Sequence, residues 1–290
     1  MSDNRDTQSQ VKQHYSVTAS TYRNHYDPAQ HDSSPTYPAE YFRLNLLLDR
    51  LKETSAKRVL DAGCGEGTPL MRVAELGAEI RGFDFTPEMI EEARDIFSAQ
   101  GLNPDWVIVG DVQNFDSFSA LMEDQPFDAA VCFGVMPHVN DELKALKNLH
   151  RSLRKNGRAF VEFRNELFNL ITMNRFTHNY IVEELFANAP PSIREATSAH
   201  LDSILAMDKP PLRTEAEAGK PGYDAIQARM HNPLKMDELF GEAGFTDVEI
   251  HWYHFHPTLP LLEGNGVDAA EFRKAAFAME ENPKDWRGYF

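Results

Sequence analysis

One segment constrains this chain more than any other: Arg58-Val-Leu-Asp-Ala-Gly-Cys-Gly-Glu-Gly67. An apolar run that can end a buried strand leads into glycines at 63, 65 and 67. A helical pattern then runs from about Thr68 to Leu76. Glycine opens backbone angles closed to other residues and lets a ligand lie directly on the chain. Strand, glycine turn and helix form the nucleotide-cradling unit of doubly wound α/β folds. The spacing is GxGxG, not the GxGxxG of dinucleotide sites. Asp61 precedes the turn, where a carboxylate repels a pyrophosphate and suits a ligand bearing an ammonium or sulfonium. Taken alone, the turn leaves a purely structural role open.

The segment Val59–Gly67 resembles the first motif of class I methyltransferases that use S-adenosylmethionine. Two further motifs stand where that fold needs them. Glu79-Ile-Arg-Gly-Phe-Asp84 reads as a second strand ending in an acid. A carboxylate there is placed to accept both ribose hydroxyls. Phe85 follows as a face for the adenine, and Thr86-Pro87-Glu88 opens a helix with an N-cap, a first-turn proline and an acid. Trp106-Val-Ile-Val-Gly-Asp-Val112 reads as the third strand and its end. The resemblance implies that Asp111 accepts from the adenine amino group and that the Val112 amide meets a ring nitrogen. With Phe133, these residues make the expected cofactor set Asp61, Gly63, Gly65, Asp84, Phe85, Asp111, Val112 and Phe133, at the carboxyl ends of strands.

Phe127–Gly134 is a continuous apolar run, as in a parallel strand buried on both faces. A helix from about Asp141 to Leu153 follows, with Lys155-Asn-Gly157 as a glycine C-cap signal. Arg158–Arg164 reads as strand five. The alternation over 56–164 implies a parallel sheet with right-handed crossovers. The expected fold is an α/β, Rossmann-like, doubly wound sheet of about seven strands. Thr246–His256 is taken as strand six, and Trp286–Phe290 as the start of a short antiparallel strand seven. Four regions are expected: 1–55 as an N-terminal helical lid, 56–164 as the cofactor-binding core, 165–234 as a helical substrate-cap insert and 235–290 as completion of the core.

Within the first region, Val11–Tyr22 looks helical and places Tyr15 and Tyr22 seven apart on one face. The resemblance implies that these tyrosines fold over the cofactor and exclude water. A second helix is expected over Tyr41–Leu51. The insert shows helical patterns at 178–188, 191–206 and 223–230, and a Pro/Gly/Glu-rich stretch over 209–222 that is expected to be mobile. A helix over 235–244 and a last one over about 268–281 complete the reading.

Composition narrows the partners. With 290 residues, 42% of them hydrophobic, the chain can bury a substantial core. No apolar run approaches the ~20 residues that span a bilayer, and the polar opening residues do not form a signal peptide. The net charge of −16 and the lack of a Lys/Arg cluster set nucleic acid aside as a partner, while a protein substrate stays open. Cys64 and Cys132 lack metal-ligand spacing, so no metal is expected, and a reducing cytoplasm is the expected location. The oligomeric state is left open.

Methyl transfer to a hydroxyl needs a proton removed, and histidine is the usual base near neutral pH. His138, just after strand four, is the first candidate. Glu162 and Arg164 flank Phe163 and, with Asn165, are expected to border the acceptor. His254 and His256 alternate with Trp252 and are expected to line the same pocket. This polar and aromatic set suits a sugar-like or otherwise hydroxylated small molecule. The expected activity is O-methylation by S-adenosylmethionine, with S-adenosylhomocysteine as product. N-methylation of a small amine and a silent cofactor-binding subunit stand as alternatives; a nicotinamide dehydrogenase is disfavoured by the glycine spacing and Asp61.

Overall fold

The computed structural model describes residues 8–16, 26, 37–123, 125–206 and 226–290. The chain divides into two compact units. The first holds residues 1–164, 214–230 and 234–249, and the second 165–213, 231–233 and 250–290.

In the first unit, helix α1 covers residues 8–16 and α2 covers Ala39–Thr54. Then strand and helix alternate: β1 (Arg58–Ala62), α3 (Thr68–Ala74), β2 (Glu79–Asp84), α4 (Pro87–Ala99), β3 (Val107–Val109), β4 (Phe127–Cys132), α5 (Glu142–Ser152) and β5 (Leu153–Val161). The five strands pair in parallel in the order β3-β2-β1-β4-β5. The order reverses between β1 and β4, and at such a switch point an open sheet leaves a crevice beyond its strand ends. Alternation along β1 sends Val59 to one core and Leu60 to the other. Val59 shares its face with Leu44, Leu47 and Leu51 of α2 and Ile90 and Phe97 of α4. Leu60 shares the opposite face with Phe83, Leu146 and Leu149. Burial on both faces accounts for the near-continuous apolar character of these strands.

The sheet has five strands among the described residues, not seven. The stretch 246–256 has no strand pairing, because Asp247 (φ 57°) and His254 (φ 63°) leave the extended region. Trp286–Tyr289 closes a 3₁₀ turn capped by Asp285, whose carboxylate accepts from the Arg287 amide at 2.9 Å, so no antiparallel strand starts there. β5 begins earlier than its sequence pattern and bulges: Phe127 pairs with Leu153 but Ala129 with Arg158. The left-handed residue in this bulge is Asn156 (φ 62°), and Gly157 is needed instead for space. A Cβ on Gly157 would sit 3.0 Å from the Arg154 carbonyl and 3.1 Å from that of Asp128.

Tyr22 and the 209–222 stretch lie outside the described residues. The helix expected over 223–230 is not formed across 226–230, which runs as non-helical chain. In the second unit, helices Arg175–Asn179 and Pro191–Ile204 flank a π-helical turn, Tyr180–Leu185, and a further helix spans Ala269–Met279. No helix of the described residues is long and apolar enough to cross a membrane.

Candidate active site

A cleft opens at the carboxyl ends of β1, β2 and β4, lined among others by Asp61, Gly65, Asp84, Phe133 and His138. The glycine turn builds its floor. Gly63, Gly65 and Gly67 all have positive φ (93°, 54° and 90°), which explains the residue type at each. A Cβ on Gly63 would meet Val135 Cγ2 at 2.1 Å, so this glycine lets β4 and its following loop close on the turn. At Gly65 a Cβ would meet nothing within 4 Å, and that open space belongs to the cleft.

Three carboxylates converge here. Asp61 and Glu66 are buried. Burial, and secondarily the neighbouring Asp84 charge, push the Asp61 carboxyl up to about 7. Asp84 is raised by burial, opposed by amide bonds from Thr86 (2.8 Å) and Gly65 (3.0 Å). The Thr86 side chain donates to Asp84 as well. Thr86 is the α4 N-cap residue, yet its side chain makes no cap bond; its amide is held by Asp84 instead. A site with this much negative charge favours a cationic ligand.

Arg43 of α2 supplies the compensating cation. It is 8% exposed. It donates to Glu162 Oε2 at 2.7 Å and to the Tyr26 hydroxyl at 3.0 Å. Glu162 also accepts from the Gly134 amide at 2.5 Å. Glu162 is thus tied into the wall of the cleft by a buried pair. A signal for Arg43 exists in the sequence: it stands four before Leu47 on the apolar face of α2, and a charge on a buried stripe calls for a partner.

Phe85 lies on the cleft wall with Lys12 Nζ 5.6 Å from its ring centre. Asp111 closes its own turn by accepting from the Gln113 amide at 2.8 Å, and Val112 is buried beside it. Tyr15 of α1 also lines the cleft.

His138 stands in a short 3₁₀ turn after β4 and is buried. Its Nδ1 lies 2.5 Å from the Gln227 carbonyl, and its Nε2 lies 3.0 Å from the Tyr15 hydroxyl. A carbonyl only accepts, so Nδ1 carries the proton and Nε2 is the acceptor, with the phenol donating to it. Burial, with lesser repulsion from Arg164 and His14, lowers His138 to about 4, against the pull of the Gln227 carbonyl and Glu162. The ring is therefore neutral at pH 7. The group that meets Nδ1 is the Gln227 backbone carbonyl, which carries no side-chain signature that a sequence can show.

Arg164 follows β5 in the first unit. Asn165, His254 and His256 belong to the second unit. There Asn165 donates to the carbonyls of Gly288 (3.2 Å) and Tyr289 (3.0 Å) and caps the Leu167 amide. The His254 and His256 rings lie 4.9 Å apart, brought together by the left-handed turn at His254 and not by strand alternation.

A family model described as a methyltransferase domain matches residues 53–208, more than half of the chain. The chain belongs to the S-adenosylmethionine-dependent, class I methyltransferase family. Among curated relatives, a ubiquinone biosynthesis O-methyltransferase of Histophilus somni is 28% identical over 154 residues, 53% of this chain and 64% of that protein. The protein of the same name from Xanthomonas oryzae pv. oryzae is 29% identical over 142 residues, 49% and 57% of the two chains. The chain thus spans less than two thirds of the length of these relatives. Among solved structures, the magnesium protoporphyrin IX methyltransferase of Synechocystis with bound S-adenosylhomocysteine superposes with a TM-score of 0.49. It is 15% identical, over 82% of this chain and 90% of that one. The methyltransferase family takes S-adenosylmethionine as methyl donor, and the acid-rich cleft fits a sulfonium.

Proposed function

We propose that this methyltransferase transfers a methyl group from S-adenosylmethionine to a hydroxyl of a small polar molecule. One observation carries the choice of oxygen: His138 is held neutral at the cleft wall with the lone pair of Nε2 turned towards a phenol. A hydroxyl acceptor must lose its proton as the new bond forms, and a neutral imidazole is equipped to take it. The O-methyltransferase names of the two relatives point the same way.

The donor would be held by the chain's own groups. Asp61 answers positive charge, Arg43 a carboxylate, and Asp84 two hydroxyls. Gly63 and Gly65 let the backbone approach, while Phe85 and Phe133 offer faces and Asp111 with Val112 an adenine edge. When bound, the donor supplies an already activated methyl, so the protein's work is to position, exclude water and accept a proton. Tyr15 serves as a lid over the donor. Arg164 is offered as an acceptor-side group for a sugar-like or hydroxylated compound.

The test is formation of S-adenosylhomocysteine with free hydroxyl acceptors such as phenol and methyl glucoside. His138→Ala is expected to lose about a hundredfold or more in kcat while still binding S-adenosylmethionine. Turnover confined to amines and indifferent to His138→Ala would overturn the oxygen assignment. Donor binding without any turnover would make the chain a silent binder.

A further inference from the structure

Two segments far apart in sequence meet at the loop after β4. From α1, Gln8 Nε2 donates to the His138 carbonyl at 2.7 Å, and Tyr15 reaches the ring. From residues 226–230 of the first unit, the Gln227 carbonyl faces Nδ1. Gln227 Nε2 donates to the Val139 carbonyl at 2.9 Å, and the Arg229 amide to that of Pro137 at 2.8 Å. A further ion pair joins Arg229 to Glu142 at 2.6 Å. α1 is itself anchored by Ser16, which donates to Glu88 at 2.9 Å. The ring of His138 is thus fixed from both of its nitrogens.

This fixation raises a problem for a base acting alone. The basic nitrogen of His138 already accepts the Tyr15 phenol, and both side chains line the cleft. An acceptor reaching Nε2 directly would have to displace that phenol. An acceptor that donates to the phenol oxygen would not, because a hydroxyl oxygen accepts one hydrogen bond while donating another.

We propose that Tyr15 relays the proton: His138 acts through the Tyr15 hydroxyl, and the Gln227 carbonyl locks the tautomer that makes the relay one-way. This rests on the hydroxyl-acceptor reading above. As the acceptor oxygen forms its bond to the methyl carbon, the carbon–sulfur bond breaks and its electron pair stays on sulfur. The acceptor O–H proton passes to Tyr15 Oη while the Tyr15 proton passes to His138 Nε2. The products are the methyl ether, the thioether and an imidazolium whose Nδ1–H remains on Gln227. The imidazolium then loses its proton to water as the products leave. The charged and titratable groups around this ring are Arg164, Glu162 and His14. Burial depresses the basicity of the ring, so that it discharges readily. Tyr15 is here a catalytic residue as well as part of a lid.

The experiment uses the full chain loaded with S-adenosylhomocysteine and nitrogen-15 NMR of the histidine rings, with His138→Gln assigning the signal. The expected result is a proton on Nδ1 and an imine-type Nε2, with Tyr15→Phe shifting the Nε2 signal and raising the pH at which the ring titrates. A proton on Nε2, or a Tyr15→Phe ring that does not change, overturns the relay. The second readout is S-adenosylhomocysteine formation with phenol. Tyr15→Phe should lower kcat about a hundredfold and leave the Kd for S-adenosylmethionine within about twofold. Loss of donor affinity with unchanged kcat would reduce Tyr15 to a lid. If the wild type turns over no hydroxyl acceptor, the oxygen reading fails, and the NMR result alone decides whether the Tyr15–His138 pair exists in solution.

Discussion

Asp61 carries a cost when the cleft holds no cation. Its carboxyl is pushed up to about 7 by burial and by Asp84, against about 4 in an unfolded chain. The folded state therefore binds the extra proton between those values. The free protein loses stability as pH rises from 4 to 7, and the loss is complete above 7. Asn in its place does not titrate. Asp61→Asn is expected to raise the stability of the ligand-free protein at pH 8 by up to about 4 kcal/mol and to leave it unchanged near pH 4. Urea unfolding at the two pH values measures this. The same variant should bind S-adenosylmethionine more weakly, since it removes a negative charge from the proposed donor site. Equal stability of variant and wild type at pH 8 would show that Asp61 is not strained by its surroundings.

At the scale of elements, the glycine turn separates stability from binding. Gly63 faces Val135 and Gly65 faces open space, both at positive φ. Gly63→Ala should cost about 2–4 kcal/mol of stability from the clash and the backbone together. Gly65→Ala should cost only about 1–2 kcal/mol, the left-handed penalty, yet lose donor affinity because its methyl enters the cleft. Denaturation and calorimetry on the pair read the two effects. β1, β2 and β4 and their helices were legible in the sequence because largely buried parallel strands and periodic helices carry strong local patterns, and the edge strand β3 shows as a short Val-Ile-Val run. The predicted acids and glycines come together for the same reason: each sits at a strand end that the pattern already places. What the pattern missed depends on tertiary contact. The stretch 246–256 alternates like a strand, but left-handed turns at Asp247 and His254 stop it pairing. The Asn156 bulge in β5, the Arg43–Glu162 pair and the Gln227 carbonyl on His138 arise only once distant segments meet.

At the scale of the whole molecule, the fold and the acid-rich cleft lead to one claim: the chain binds S-adenosylmethionine in the cleft at the carboxyl ends of β1, β2, β3 and β4. Asp84 tests it most directly, because a carboxylate that accepts hydroxyl bonds should contribute on binding while its two amide bonds brace the turn. The deciding measurement is titration calorimetry with S-adenosylmethionine and S-adenosylhomocysteine on wild type and Asp84→Ala, with thermal unfolding of both to confirm folding. The account predicts that wild type binds both ligands and that a folded Asp84→Ala binds them about 1.5–3 kcal/mol more weakly, roughly tenfold or more in Kd. A wild type that binds neither ligand, or an Asp84→Ala variant of undiminished affinity, would contradict it.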